Sequence, residues 1–113
     1  MIARIWQGIT LATKAEQYLE YLNQFVVPAV QMAEGNEGLF ILQDLRGDLS
    51  HFLLLSFWTS NEALINFAGA HSSEFEVVNL SPEEESLLVA FESTAMHYKV
   101  LYNSGLSPNK NKL

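Results

Sequence analysis

The segment from Ser50 to Trp58 constrains the fold more than any other part of the sequence. It reads Ser-His-Phe-Leu-Leu-Leu-Ser-Phe-Trp, so large apolar side chains fall on both of its faces. Side chains alternate between the two faces of a strand, and this pattern is typical of a central strand that is covered on both sides. The sheet that contains this strand therefore needs an apolar layer on each face.

The elements around this strand follow the order β-α-β-β-α-(α)-β. Apolar periodicity and turn residues predict strands and helices at the following positions: strands at 2–9, 38–45, 50–58 and 94–102, and helices at 13–33, after Ser60 and from Ser81. Pro28 is expected to interrupt the long helix, because proline lacks an amide hydrogen and crowds the preceding turn. A turn at 46–48 joins two of the strands as a hairpin, and residues 70–80 give no clear pattern.

This order predicts an α+β domain with the ferredoxin-like, split βαβ arrangement: a four-stranded antiparallel sheet with helices on one face. The other face would expose a large apolar patch, which is unusual in a monomer. A second copy of the same sheet is the simplest cover, so we expect a two-fold homodimer through the sheet face. The domain is expected to span residues 1–103, followed by a polar, flexible tail at 104–113.

Composition narrows the classes of function. The 113 residues fit one domain, and the net charge of −7 argues against binding to nucleic acid or to an anionic membrane. No apolar stretch approaches the roughly 20 residues of a spanning helix, and no targeting segment is evident, so we expect a cytoplasmic protein. The sequence contains no cysteine, which excludes disulfides, thiolate metal sites and cysteine nucleophiles.

An apolar strand that ends in Trp58 is followed by the pattern x-Ser-x-Glu-Ala and an apolar helix that reaches Phe67. The full segment reads Leu-Leu-Ser-Phe-Trp-Thr-Ser-Asn-Glu-Ala-Leu-Ile-Asn-Phe. This segment resembles the antibiotic biosynthesis monooxygenase family of the dimeric α/β-barrel superfamily. The first strand, the long first helix and the final Met-His-Tyr-Lys-Val strand agree with the resemblance, which covers about residues 2–102.

The resemblance implies an oxygenase that uses no metal or flavin. Such an enzyme binds an electron-rich phenolate between sheet and helices, and the substrate itself passes an electron to O₂. The positions that hold the substrate would be Gln7 on the first strand and Trp58 at the end of the third. We therefore expect an aromatic or quinone-type ligand and no cofactor. A non-catalytic binding or accessory dimer is one alternative, and a haem-degrading protein with His71 as the axial ligand is another.

Two histidines are further candidates for the site. His51 and His97 each share a strand face with bulky apolar neighbours, and an imidazole can act as a general base near neutral pH. The acidic run at 83–85 is expected to serve the N-terminus of its helix, where negative charge is favourable. We interpret these three carboxylates as structural.

The two faces of the first strand differ in polarity. Gln7 is the sole polar residue on the face that it shares with Ala3, Ile5 and Ile9, and this apolar face is expected to contact the core. The opposite face, with Arg4 and Trp6, is expected to pack in the dimer. Arg4 would then be paired with a carboxylate. The alternative is a functional role, with a cation over Trp6 or an anionic ligand at this face.

Overall fold

A computed structural model describes residues 1–69 and 74–105 of the chain. The described strands are β1 (Ile2–Leu11), β2 (Asn36–Arg46), β3 (Leu49–Trp58), β4 (Phe75–Val77), β5 (Ala90–Phe91) and β6 (Thr94–Lys99). The described helices are α1 (Ala15–Tyr21), α2 (Val27–Met32), α3 (Asn61–Ala68) and α4 (Pro82–Ser86). A 3-10 turn at Ala12–Lys14 precedes α1, and a π-helical segment at Leu22–Val26 joins α1 to α2. Within the described ranges, no helix is long and apolar enough to cross a membrane.

The strands form one antiparallel sheet in the order β2-β3-β1-β6-β4, with β5 paired to β1 beside β6. The predicted α+β, ferredoxin-like class is confirmed, and the four long strands are those expected from the sequence. The sheet has six strands rather than four. One additional strand is β4, which pairs with the outer edge of β6. The other is β5, which pairs with Gly8 and Ile9 because β1 extends beyond β6, whose pairing covers only Ile2–Ile5.

The β2–β3 hairpin turns where the sequence predicts it. Arg46 pairs with Leu49, so only Gly47 and Asp48 lie between the two strands. Gly47 has a φ of 60°, in the left-handed region that glycine adopts without steric cost. The turn places β3 between β2 and β1, so its predicted central position is confirmed.

The long first helix is interrupted before Pro28, as predicted. Pro28 lies in the first turn of α2, where a missing amide hydrogen costs least. The preceding π-helical segment widens the helix by one residue per turn, which relieves the crowding that proline imposes on the turn before it.

The side of the sheet that contacts the helices carries the core. Along β3, every second residue from Ser50 to Trp58 is buried there. The main core cluster is formed by Trp6, Ala15, Tyr18, Leu22, Phe52, Leu54, Leu87 and Ala95, and a second cluster by Ile2, Val30, Trp58 and Leu64. The predicted orientation of β1 is therefore wrong. The face with Trp6 packs under the helices, whereas the face with Gln7 lies on the opposite side of the sheet, where Gln7 is exposed.

The opposite side of the sheet, here called the open sheet face, is apolar and uncovered in the single chain. Cross-strand register places these side chains on it: Ile5, Ile9, Phe40, Leu42, Leu53, Leu55, Phe57, Met96 and Tyr98. Phe40, Leu42, Met96 and Tyr98 are 41–52% exposed. An apolar patch of this extent is typical of an interaction surface.

Candidate functional site

A cavity of about 230 Å³ lies between the sheet and the helices. We call it the sheet–helix cavity. More of its accessible wall is polar than apolar, and three of its side chains are charged. The lining residues are Arg4, Trp6, Val26, Leu54, Ala68, Glu76, Val77, Val78, Asn79, Leu80 and Glu84. Clefts for drug-sized ligands hold about 300–1,000 Å³, so this cavity suits a single-ring compound.

The indole of Trp6 forms the sheet side of this cavity. Its Nε1 donates a hydrogen bond of 2.8 Å to the backbone oxygen of Glu92, which fixes the ring. A Cβ at Gly8 would lie 2.9 Å from Cη2 of this indole. Glycine at this position therefore lets the indole lie flat along the strand and form a rigid aromatic wall.

Glu84 brings a buried carboxyl group to the cavity from α4. Ser81 caps this helix by accepting a hydrogen bond from the Glu84 amide, and the Tyr18 hydroxyl donates to Glu84 Oε2 at 2.8 Å. Burial raises the pKa of Glu84, while the Tyr18 hydrogen bond and the positive charge of Arg4 oppose this rise. A carboxylate with a raised pKa is a stronger base than one in water.

Tyr18 acts as a hydrogen-bond donor in this pair. Burial, together with the nearby Glu84 carboxylate, raises the pKa of Tyr18 far above its ordinary value. Its phenol therefore keeps its proton and holds one oxygen of Glu84. The other carboxylate oxygen stays available to a ligand.

Arg4, Glu76 and His97 form a second polar cluster at the cavity. Arg4 Nε donates to Glu76 Oε1, and His97 Nε2 lies 3.4 Å from the same oxygen. The His97 side chain is only 1% exposed, and its Nδ1 has no hydrogen-bond partner among the described residues. The predicted pairing of Arg4 with a carboxylate is confirmed, although the pair lies on the helix side of the sheet.

The four residues proposed as the site from the sequence are not brought together. Trp58 is fully buried in the second core cluster, where its Nε1 donates to Ser56 Oγ at 2.9 Å and its ring packs 4.8 Å from that of Phe67. Gln7 lines a separate depression of about 270 Å³ on the open sheet face. Neither side chain lines the sheet–helix cavity.

The two histidines lie on opposite faces of the sheet. His51 is half-buried on the open sheet face, beside Asp44 of β2, whereas His97 is buried on the helix side. They cannot share one site within a chain, and His71 lies outside the described residues. Among residues 1–69 and 74–105, no group of three or more metal-ligating side chains is arranged to hold a metal ion.

Apart from Arg4 and Trp6, the residues that line the cavity were missed as site candidates, although one of them carried a signal in the sequence. Glu84 precedes Leu87 by three residues and Leu88 by four, so the sequence places it on the apolar face of the helix predicted from Ser81. Glu83 and Glu85 are exposed, as expected of a solvated helix start, and Glu84 is buried. Glu76 lies in a segment without periodicity, and nothing local in the sequence points to it.

A larger and more open groove of about 650 Å³ lies beside the start of α3. Its charged lining residues, Glu34 and Glu62, are both carboxylates, and no predicted site residue lines it. The groove therefore lacks the combination of base, cation and aromatic wall that the sheet–helix cavity contains.

Comparisons with known proteins support the fold. No protein-family model and no curated protein matches the sequence. Among solved structures, the chain is similar to the haem degrader MhuD from Mycobacterium tuberculosis with two haems in its active site, at 19% identity and a TM-score of 0.58 over 93% of this chain and 100% of that chain. It is also similar to a proposed antibiotic biosynthesis monooxygenase from Bacillus cereus, at 14% identity and a TM-score of 0.63 over 92% and 96% of the two chains.

The chain is also similar in structure to a proposed antibiotic biosynthesis monooxygenase from Nitrosomonas europaea, at 14% identity and a TM-score of 0.62 over 90% of this chain and 100% of that chain. At these identities the likeness is one of fold. The chain has the ferredoxin-like fold of the antibiotic biosynthesis monooxygenases, and the resemblance inferred from the Trp58 segment is confirmed at that level.

The raised pKa of Glu84 predicts a pH dependence of stability. In an unfolded chain a glutamate has a pKa of about 4.3, whereas Glu84 of the folded protein keeps its proton to higher pH. The extra affinity for this proton stabilises the folded state, and the contribution is complete below about pH 4.3. It is lost as pH rises through the folded pKa. We expect the Tm of Glu84→Gln to exceed that of the natural protein increasingly from about pH 4 to pH 7.

Thermal melts by circular dichroism would measure this difference. Glu83→Gln is the matched control, because Glu83 is exposed one residue away on the same helix. Its Tm should follow that of the natural protein across the pH range. A Tm difference for Glu84→Gln that does not change with pH would contradict the assignment.

Proposed function

We propose that the chain is a monooxygenase-like protein that binds a single-ring hydroxy-aromatic compound in the sheet–helix cavity and lets it react with O₂. The observation that carries this proposal is the buried carboxyl of Glu84 in a cavity that also contains Arg4 and the indole of Trp6. These groups supply a base, a cation and an aromatic surface for an electron-rich ring. The fold shared with proposed monooxygenases supports the same conclusion.

The charge balance of the cavity favours a substrate that arrives as the neutral phenol. Arg4 faces two carboxyl groups, those of Glu76 and Glu84, so an anionic ligand would add a third negative charge. A neutral phenol instead donates its proton to Glu84, and the new phenolate replaces the lost carboxylate charge near Arg4. The total charge of the buried cluster stays constant, which avoids a large electrostatic cost.

The proposed reaction takes its electrons from the substrate. The phenolate passes one electron to O₂, and the two radicals combine into a peroxide at a ring carbon that carries hydrogen. Protonated Glu84 returns its proton to the peroxide, which then loses water and leaves a quinone. One phenol and one O₂ thus give one quinone and one water, and Glu84 ends as the carboxylate.

An oxygen electrode tests this proposal directly. O₂ uptake and quinone absorbance should both rise above the buffer rate with at least one member of a panel of single-ring phenols and hydroquinones, without added metal or flavin. A panel with no turnover above buffer contradicts the oxygenase proposal.

A non-catalytic binding or accessory role is the second candidate. It is favoured by Trp58, since the side chain that the resemblance places in the chemistry is fully buried and its N–H is bonded to Ser56. Binding of a hydroxy-aromatic compound by calorimetry without O₂ uptake would support this role. Haem binding through His71 predicts instead a Soret band on addition of haemin that is lost in His71→Ala.

The open sheet face supports a homodimer, as expected from the sequence. Leu42 lies within this face at 47% exposure, so Leu42→Glu costs little in the single chain. In a two-fold dimer it buries two unpaired carboxylates, at a cost of several kcal/mol. We expect the natural protein to sediment at twice 12.7 kDa and Leu42→Glu at 12.7 kDa.

Met32→Glu is the control for this dimer test, because Met32 is 86% exposed on α2, away from the open sheet face. It should sediment as the natural protein does. A natural protein that sediments as a stable 12.7 kDa monomer contradicts the dimer through the sheet face.

A further inference from the structure

Arg4 reaches the sheet–helix cavity with most of its hydrogen-bonding capacity unused. Among the described residues, its guanidinium makes one hydrogen bond, from Nε to Glu76 Oε1. The side chain is 18% exposed and lines the cavity. The two terminal nitrogens, Nη1 and Nη2, therefore remain as donors for a ligand, in the planar fork that arginine uses to bind oxygen anions.

Glu76 is contacted by side chains from two different strands. Arg4 of β1 pairs directly with His97 of β6, and Glu76 lies on β4, the next strand beyond β6. The side chains of Arg4 and His97 both approach Glu76 Oε1. His97 approaches from a side chain that is 1% exposed, so it has little freedom to move.

We propose that Glu76, held by His97, is a positioning residue that fixes the guanidinium of Arg4 as a two-donor fork for the oxygen anion of the substrate. The inference rests on the proposed function and adds to it the group that receives the phenolate. Donors held in place before the anion forms stabilise it without the cost of reorganisation.

Positioning and simple electrostatics predict opposite effects when the charge of Glu76 is removed. The negative charge of Glu76 by itself disfavours a nearby phenolate, so its neutralisation alone would strengthen phenolate binding. If Glu76 acts by holding Arg4, the same change releases the guanidinium and weakens phenolate binding. The sign of the effect therefore distinguishes the two roles.

The probe for this experiment is 4-nitrophenol, a single-ring phenol whose anion absorbs visible light. It is added at mildly acidic pH, where the free compound is the neutral phenol. The Kd is measured from the phenolate absorbance that appears when Glu84 takes the proton of the bound compound, and no O₂ chemistry is needed. In Glu76→Gln we expect the Kd to rise about tenfold, the value of one hydrogen bond to a charged group. The matched control is Glu85→Gln, which removes the same charge at an exposed position and should keep the natural Kd.

Glu76→Asp keeps the charge and shortens the side chain, and it should also weaken binding; circular dichroism establishes that each variant is folded. In an Arg4→Lys background, where the fork is absent, Glu76→Gln should no longer weaken binding, because only the loss of its negative charge remains. The inference would be overturned by tighter phenolate binding in Glu76→Gln or by natural affinity in Glu76→Asp. It would equally be overturned by additive effects in the double variant or by an absence of binding to the natural protein. Because 4-nitrophenol binding is read without turnover, the failure of the oxygenase proposal would appear separately, as absent O₂ uptake with intact binding.

Discussion

Glu84→Gln is expected to lower kcat/KM for an oxygen-consuming phenol by about 100-fold or more, since removal of a general base costs roughly 10²–10⁴-fold. Glu84 lines the cavity, and Tyr18 occupies only one of its two carboxylate oxygens. Glutamine keeps the shape and can still accept the Tyr18 hydrogen bond, but it cannot take a proton from the substrate. Steady-state O₂ uptake and quinone absorbance measure the loss.

The effect of Glu84→Gln can be separated from any effect on folding. The same substitution is expected to raise the Tm at neutral pH, because it removes a buried charge, so a loss of activity cannot come from unfolding. Glu83→Gln makes an identical chemical change at an exposed neighbour and should keep the natural kcat/KM. Full activity in Glu84→Gln, or an equal loss in both variants, would remove Glu84 from the proposed chemistry.

The order of the four long strands along the chain could be predicted from the sequence, whereas the face of β1 that contacts the helices could not. Alternation divides β1 into two faces, and both of them carry large apolar side chains. The number of apolar residues on each face is therefore a poor guide to which one contacts the helices. That count favours the face of Ile5 and Ile9, which lies on the open side of the sheet. Trp6 contacts the helices because Gly8 leaves room for its indole along the strand, a fit that exists only in three dimensions.

Only part of the candidate site could be predicted from the sequence. Trp58 and Gln7 came from the resemblance, and their roles in binding remain predictions, because neither lines the sheet–helix cavity. The cluster of Arg4, Glu76 and His97 joins residues up to 93 positions apart, from three neighbouring strands. The cluster forms because β1, β6 and β4 lie side by side in the sheet, and the local periodicity of each strand does not say which other strands it pairs with.

Trp58 provides the sharpest contrast between the resemblance and the structure. The resemblance places its indole against the substrate, whereas the structure buries it completely between Ile2, Val30 and Leu64. A side chain in that position contributes mainly to stability. Trp58→Ala is therefore expected to lower the free energy of unfolding by about 3–5 kcal/mol, the usual cost of a large-to-small change in a core.

A loss of this size is a large share of the roughly 5–15 kcal/mol that stabilises a typical domain, so the milder Trp58→Phe is the informative variant for activity. Phenylalanine fills most of the indole's space. It loses the hydrogen bond to Ser56, worth about 1 kcal/mol, and leaves only a small cavity. Ser56→Ala is the matched control, since it removes the same hydrogen bond and leaves the ring. Urea unfolding should give both variants a similar small loss of stability, and both should keep most of their kcat/KM. If Trp58→Phe instead loses its activity while Ser56→Ala keeps it, the indole contacts the substrate, and the site lies at the second core cluster rather than at Glu84.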